Sequence, residues 1–149
     1  MIFLSKLLTA DRVVMLDETS KDAALERLVR ILAASAPVHN ERDLLEAIRG
    51  RELIMSTGIG FGIAVPHAKI KSVDDVVMAV GISKKGLDFG SLDDKPVHIV
   101  VMIAAGAEQQ DAYIRTLARV MMMLKNPKTR EKLTACKTPG EVLGVFAKF

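Results

Sequence analysis

The chain has 149 residues, of which 50% are hydrophobic and 26% charged, and its formal net charge is +3. This length and composition predict one globular domain over residues 1–149 with a sizeable core. The small net charge and the few aromatic residues (five Phe, one Tyr, no Trp) argue against nucleic-acid binding, which relies on clustered basic residues and stacking platforms.

The longest apolar runs, Val76 to Ile82 and Ile99 to Ala105, are far shorter than the roughly 18 residues that a membrane span requires. The first residues lack a signal-peptide pattern, and the single Cys136 cannot form an internal disulfide. We therefore expect a cytoplasmic protein without membrane insertion.

The chain begins with a strand and a helix. Residues 13–16 are Val-Val-Met-Leu, which is typical of a strand. Apolar residues between Ala24 and Leu32 recur at helical spacing, so they predict a helix. Thr19 or Ser20 would cap this helix, and Pro37 would end it.

A second helix is predicted from the cap Asn40, with Leu44 and Ile48 on its apolar face. Gly50 is the predicted helix end, because glycine is favoured just after the last helical residue. Arg51 would then lie immediately beyond the helix.

Three strands are predicted next: a short one from Ile63 to Pro66, and two longer ones from Val76 to Ser83 and from Val97 to Ala104. The Lys85-Gly86 pair predicts a turn between the longer strands.

The last part of the chain predicts three helices. The longest runs from Gln109 to Leu124, and the others begin at Pro127 and Pro139, the last ending at Phe149. The expected buried face of the longest helix comprises Ile114, Leu117, Val120, Met121 and Leu124. This element order predicts an α/β fold in three layers, with helices on both faces of a mixed sheet.

The most informative segment runs from Ser56 to His67. Its three alternate glycines permit a tight turn or offer backbone N–H groups to an anion. Pro66 fixes its own φ, so that His67 follows in a stiff, non-helical setting. A neutral imidazole near physiological pH is a good nucleophile.

This segment resembles the active-site signature of the phosphotransferase-system IIA domains of the mannitol, fructose and nitrogen-regulatory type. Arg51 has the family's spacing, 16 residues before His67 (67 − 51 = 16). Leu-Ser-Lys-Leu-Leu at 4–8, Leu-Asp-Phe at 87–89 and Pro-Val-His-Ile-Val at 96–100 extend the resemblance over essentially the whole chain. The resemblance implies an α/β/α sandwich.

The resemblance also implies that His67 accepts a phosphoryl group and later gives it up, and that Arg51 stabilises the phosphate. A guanidinium can bind two phosphate oxygens at once. The hydroxyls of Ser56 and Thr57 would either donate to the same phosphate or cap local backbone. Backbone N–H groups at Gly58 and Gly60 are further candidates for phosphate binding.

Gln110 departs from the family pattern, because many members carry a second histidine at this position. Glutamine can donate an N–H to phosphate but carries no charge, and neutral hydrogen bonds are weaker than charged ones. We expect this departure to affect the efficiency of phosphoryl transfer. We also assign Gln110 to the phosphate-binding group.

The other histidines, His39 and His98, are expected to be solvated and structural, respectively. The three histidines lack metal-ligand spacing, and no P-loop follows the glycines. We therefore expect no metal and no cofactor.

Three functions stay open at this point. The first is a phosphoryl carrier that accepts phosphate from the histidine phosphocarrier protein and passes it to a IIB domain for sugar uptake. The second is a regulatory switch in which the same phosphorylation changes affinity for a target protein. The third is an unphosphorylated scaffold.

A docking surface for the donor is expected close to His67. Ile59, Phe61 and Ile63 would supply its apolar part, with Phe61 the candidate exposed contact, unless all three face the core. Lys69 and Lys71 would steer an acidic partner.

Overall fold

The computed structural model describes residues 3–149, which form a six-stranded mixed sheet with helices on both faces. The strands are β1 Val13–Leu16, β2 Gly58–Gly60, β3 Ile63–Ala64, β4 His67–Ile70, β5 Val77–Leu87 and β6 Val97–Gly106. The helices are α1 Lys21–Ala33, α2 Glu41–Ile54, α3 Gln110–Leu124, α4 Pro127–Ala135 and α5 Pro139–Phe146.

The sheet has the order β1-β5-β6-β3-β2, and β4 also pairs with β6. β5 and β6 form its antiparallel centre, while β1 lies parallel to β5. β3 and β4 both run parallel to β6, with Ile63 opposite Ile99 and His67 opposite Ile103. β3 and β4 therefore follow one another along the same edge of β6.

Two apolar cores enclose this sheet. α1 and α2 pack on one face through side chains that include Leu28 and Ile48. α3, α4 and α5 pack on the other face through side chains that include Val120, Leu133 and Phe146. The predicted three-layer sandwich is thus confirmed. The central strands read as continuous apolar runs because both of their faces are covered.

Local signals placed the helix starts well, because caps act within one turn. Ser20 caps α1 by accepting the Ala23 N–H, and Asn40 caps α2 by accepting the Asp43 N–H. The prediction that α2 ends at Gly50 is wrong, since the helix continues to Ile54. Glycine inside a helix costs about 1 kcal/mol relative to alanine, which tertiary packing readily offsets.

The Lys85-Gly86 pair is not a chain reversal but an irregularity inside β5. Its pairing with β6 shifts register between Ile82 and Leu87. Gly86 has φ 86° and lies against Pro96, which a Cβ atom would approach to 2.8 Å. The glycine is required by both the backbone conformation and the close contact.

The α3 face was predicted only in part. Val120 and Leu124 are buried as expected, but Ile114 and Met121 are exposed. Thr116 is buried instead, and its hydroxyl donates to the carbonyl of Ala112 at 2.7 Å.

The chain's last helix, α5, ends at Phe146, before the predicted end at Phe149. Within residues 3–149, no helix combines the length and apolar character that crossing a bilayer requires.

Candidate active site

His67 begins β4, directly after the break that Pro66 makes between β3 and β4. The half-buried imidazole has its Nδ1 at 2.7 Å from the carbonyl oxygen of Val65. Because a carbonyl only accepts hydrogen bonds, Nδ1 carries the proton. Nε2 then keeps its lone pair, which makes it the nucleophilic atom of the ring.

The first turn of α3 lies beside this imidazole. The rings of Tyr113 and His67 are 6.1 Å apart between centroids and are inclined by 52°. Burial raises the pKa of Tyr113 from 10.0 to about 12, and the positive charge of Arg51 opposes this shift. The Tyr113 hydroxyl is therefore a neutral donor at physiological pH.

Arg51 lies in the last turn of α2, inside the helix rather than beyond it. Its Nη1 donates to the carbonyl of Met55 at 2.9 Å, so the helix end holds the guanidinium. The electrostatic effect of Arg51 on Tyr113 puts this charge on the same side of the molecule as His67. Tyr113 is thus related to both predicted residues: its ring lies beside the imidazole of His67, and the charge of Arg51 opposes the rise of its pKa that burial causes.

A buried carboxylate, Glu52, supports the segment that leads to His67. Glu52 is 9% exposed; it accepts the Thr57 N–H at 3.0 Å and the Thr57 hydroxyl, and pairs with Lys21 Nζ at 2.9 Å. The Thr57 carbonyl in turn accepts the Val65 N–H at 3.1 Å. A series of hydrogen bonds, joined through the backbone of Thr57 and Val65, thus connects Lys21 on α1 with the imidazole of His67.

The hydroxyls of Ser56 and Thr57 both hold local structure. Ser56 Oγ donates to the Phe89 carbonyl at 2.7 Å and accepts the Gly58 N–H at 3.0 Å. The Thr57 hydroxyl donates to Glu52. Of the two roles open at the sequence level, this geometry matches the local one.

Gly58 and Gly60 belong to the β2–β3 hairpin rather than to a loop around His67. The turn consists of three residues with positive φ: Gly60 (106°), Phe61 (58°) and Gly62 (76°). The Gly62 carbonyl accepts the N–H of His98 on β6. His98 lies five residues before Ile103, the residue of β6 that pairs with His67. At about 3.3 Å per residue, the turn lies about 17 Å from His67 along the sheet.

Gln110 is the first residue of α3, and its side-chain oxygen accepts a hydrogen bond from Lys69 Nζ. Lys69 lies two residues after His67 on β4, so both side chains leave the same face of the sheet. The structure therefore brings an ammonium group to the position where the family pattern has a second histidine.

The remaining histidines lie elsewhere. The ring of His98 contacts the Ser83 carbonyl through Nδ1 at 2.8 Å, and exposed His39 contacts Asp74. In the described part of the chain, no group of three or more His, Cys, Asp or Glu side chains has a metal-binding arrangement.

Sequence reasoning missed three participants: Tyr113, Glu52 and the Val65 carbonyl. A weak signal existed for Tyr113, because it lies three residues after Gln110 and so on the same side of a helix. The Arg51-Glu52 pair is part of the resemblance to the family, but no pattern in the sequence indicated the buried contacts of Glu52 or the hydrogen bond to Val65.

Comparison with known proteins identifies the family. Residues 6–149 match the family model described as "Phosphoenolpyruvate-dependent sugar phosphotransferase system, EIIA 2". The chain belongs to this family. The resemblance inferred from the His67 segment is thereby confirmed.

Curated relatives carry both sugar-specific and regulatory names. The chain is 33% identical over 131 residues to the fructose-specific EIIABC component of Bacillus subtilis, covering 88% of this chain but 21% of that protein. It is 32% identical to the fructose-specific EIIA component of Haloferax volcanii (87% and 84% covered). It is 29% identical to a nitrogen regulatory protein of Bradyrhizobium diazoefficiens (86% and 83% covered). The chain thus spans about a fifth of the multidomain Bacillus protein.

Solved structures share the fold. The nitrogen regulatory protein IIA-Ntr of Neisseria meningitidis superposes with a TM-score of 0.88 at 22% identity, covering 96% of this chain and 98% of that one. Enzyme IIAMTL of Escherichia coli, in a complex with phosphorylated enzyme IIBMTL, superposes with a TM-score of 0.81 at 23% identity, covering 95% and 98%.

Proposed function

We propose that this EIIA-family chain is a phosphoryl carrier whose Nε2 atom of His67 is phosphorylated. The observation that carries the proposal is the 2.7 Å contact between His67 Nδ1 and the Val65 carbonyl. This contact fixes the tautomer that leaves Nε2 free to attack.

In the forward step, the Nε2 lone pair attacks the phosphorus of a phosphohistidine on the donor protein. An N–P bond forms at His67 while the donor's N–P bond breaks, and the donor imidazole leaves with the electron pair. The proton on Nδ1 stays in place, and the Val65 carbonyl stabilises the positive charge that develops on the ring. The transfer to an acceptor reverses these events at Nε2.

Charge on the transferred group is stabilised by side chains around His67. Arg51 supplies a guanidinium for two phosphate oxygens. Lys69, held by Gln110, supplies a second positive charge, and the Gln110 amide N–H groups are further donors for the phosphate. Of the glycine segment, Ser56, Thr57 and Gly58 contribute by holding the backbone before His67, and Gly60 contributes to the hairpin turn.

The surface beside Arg51 suits a protein partner. Leu53, Ile54 and Met55 are 89%, 82% and 57% exposed, and Ile114 on α3 is 53% exposed next to Tyr113. Exposed apolar groups that border a reactive side chain indicate a docking surface. We assign this surface, made of Leu53, Ile54, Met55 and Ile114, to the histidine phosphocarrier protein as donor, and to a IIB domain or a regulatory target as recipient, in the cytoplasm.

Phosphorylation is tested directly by intact mass. The protein is incubated with phosphoenolpyruvate, enzyme I and the histidine phosphocarrier protein, in parallel with His67→Ala and, as a matched control, His98→Ala. An acid-labile phosphate is expected on the parent and on His98→Ala, and none on His67→Ala. Labelling of His67→Ala, or no labelling of the parent by any donor, would contradict the proposal and favour an unphosphorylated scaffold.

The recipient is then identified with the labelled protein. Purified fructose- and mannitol-type IIB domains are added, and loss of phosphate from His67 is followed over time. Rapid loss to a IIB domain assigns the chain to sugar uptake. A stable phosphohistidine in the presence of every IIB domain assigns it to regulation, as the names of the nitrogen regulatory relatives suggest.

A further inference from the structure

A second apolar groove lies at the opposite end of the sheet from His67. It has a volume of about 720 Å³ and lies between the β2–β3 turn and helices α3 and α4. We call it the Phe61 groove; the side chains that matter for its chemistry are Ile59, Phe61, Met121, Met122, Lys125 and Arg130.

Phe61 occupies a conformation that does not favour phenylalanine. Its φ is 58°, in the left-handed region, which costs a residue with a Cβ roughly 1–2 kcal/mol. The side chain gains little burial in return, because it is 74% exposed. The Asp93 carboxylate accepts the Phe61 N–H at 3.3 Å and so helps to hold this backbone. Folding alone therefore does not explain an aromatic residue at the tip of this turn.

Two exposed methionines continue the apolar surface from Phe61 onto α3. Met121 is 40% exposed and Met122 is 69% exposed. Flexible, polarisable methionine side chains adapt to a partner's surface and are common where proteins bind other proteins. The groove therefore combines an exposed aromatic residue on a fixed turn with an adaptable wall.

The charged residues of the groove are all basic. Among residues 3–149, its lining includes Lys125 and Arg130 but no Asp or Glu side chain. Over residues 3–149, neither side chain takes part in an ion pair. Arg130 Nη1 donates to the carbonyls of Leu124 and Lys125 at 2.9 Å each, and its guanidinium lies 4.8 Å from the centre of the Phe61 ring. The guanidinium is thus held in place with its charge unneutralised.

We propose that the Phe61 groove is a second docking site, which binds an amphipathic protein helix whose apolar side chains are bordered by carboxylates. The apolar side chains fill the space between Phe61 and Met122 in the manner of a helix in a groove. The carboxylates pair with Lys125 and Arg130. A concave surface with two cations fits such a segment better than it fits a flat anionic membrane.

This site is separate from phosphoryl transfer. Phe61 was the sequence-level candidate for contact with the donor, but its turn lies about 17 Å from His67 by the register of β6. A protein that uses both sites binds one partner at His67 while it holds another at Phe61.

The site is tested by selecting helical peptides from a random display library on the wild-type protein, with counter-selection on Phe61→Asp. Aspartate tolerates positive φ, so this variant keeps the turn. We expect enriched peptides that combine apolar and acidic residues. Their affinity should fall by about tenfold or more in Phe61→Asp and in Met122→Asp, as expected for central contacts of an interface. The matched control is Ile54→Asp on the other surface, which should bind them unchanged.

Methyl NMR of the methionines locates the bound peptide. We expect shifts of the Met121 and Met122 signals and none of Met55, which lies beside Arg51. Enrichment of uncharged or basic peptides, or shifts confined to Met55, would overturn the proposal. So would concentration-dependent shifts of Met121 without peptide, since they indicate a second copy of this chain.

A membrane surface is examined with vesicles of phosphatidylglycerol and phosphatidylcholine. No sedimentation of the protein with them is expected, and sedimentation that Phe61→Asp abolishes would assign the groove to lipid instead. The peptide assays do not depend on phosphorylation, so they remain informative if His67 is not phosphorylated. If it is, Phe61→Asp should accept phosphate at the wild-type rate.

Discussion

Substitution of the buried Glu52 tests how the structure holds His67. Its carboxylate accepts the N–H and hydroxyl of Thr57 and pairs with Lys21. In Glu52→Gln the side chain keeps its shape, but its amide nitrogen must face one of these donors. Hydrogen bonds to charged groups contribute about 1.5–3 kcal/mol each. We therefore expect Glu52→Gln to lower the free energy of unfolding by about 2 kcal/mol.

Glu52→Ala should cost more, because it removes the carboxylate from the Thr57 N–H and leaves the Lys21 ammonium with the Phe89 carbonyl, at 3.3 Å, as a neutral partner. Removing one member of a buried pair costs about 3–5 kcal/mol. The Lys21 side chain is 26% exposed and can regain water, so the lower end of that range, about 3 kcal/mol, applies. Urea unfolding followed by circular dichroism measures both variants.

The matched control is Glu26→Gln. Glu26 also pairs with a basic side chain, that of Arg49, but Glu26 is 43% exposed, and Arg49 keeps a second partner in Asp22. An exposed pair of this kind contributes about 0–1 kcal/mol. A Glu52→Gln variant that is no less stable than Glu26→Gln would refute the energetic argument.

The same substitution should affect the chemistry of His67. Thr57 accepts the Val65 N–H, and Val65 accepts the His67 Nδ1–H, so a displaced Thr57 loosens the imidazole. We expect Glu52→Gln to accept phosphate more slowly and to show, in the ¹⁵N shifts of the His67 ring, a smaller share of the Nδ1–H tautomer. Lower stability with an unchanged tautomer and transfer rate would mean that Glu52 supports the fold alone.

Three further predictions concern the groups around His67. Correlation of ³¹P with ring ¹⁵N should locate the phosphate on Nε2 of His67, and a bond to Nδ1 would contradict the tautomer derived from Val65. Tyr113 is the single tyrosine, and its ultraviolet titration should give a pKa near 12 in the folded protein; a value near 10 would disprove its burial. Between pH 10 and 12 the folded state keeps the proton that the unfolded state has lost, so the free energy of unfolding should fall as the pH rises through this window. Lys69→Met should slow phosphoryl acceptance about tenfold, because losing a charge-assisted hydrogen bond costs roughly 1.5 kcal/mol. Adding Gln110→His to Lys69→Met should restore part of the rate of phosphoryl acceptance. An unchanged rate in Lys69→Met would show that the Lys69 charge does not act on the phosphate.

Much of the fold followed from local signals. Helix caps such as Ser20 and Asn40 act within one helical turn, and runs of apolar residues such as Val97 to Ala104 favour a strand locally. The sequence therefore predicts these elements and their layering. The end of α2 was misplaced because tertiary packing overrides a single glycine. The buried face of α3 was partly misassigned, since the rotation of a helix depends on the sheet beneath it.

The sequence by itself determined that this chain carries His67 in a stiff setting, with Arg51 at a fixed spacing, inside an α/β fold of the EIIA family. Only the tertiary structure decided what surrounds them. The register of the sheet depends on pairing between distant segments, and it places the Gly60–Gly62 turn about 17 Å from His67. Phe61 therefore lines a groove that is separate from the His67 site. The packing of α3 and α2 brings Tyr113 and the buried Glu52 to the site, because contacts between distant segments form only when the whole chain has folded.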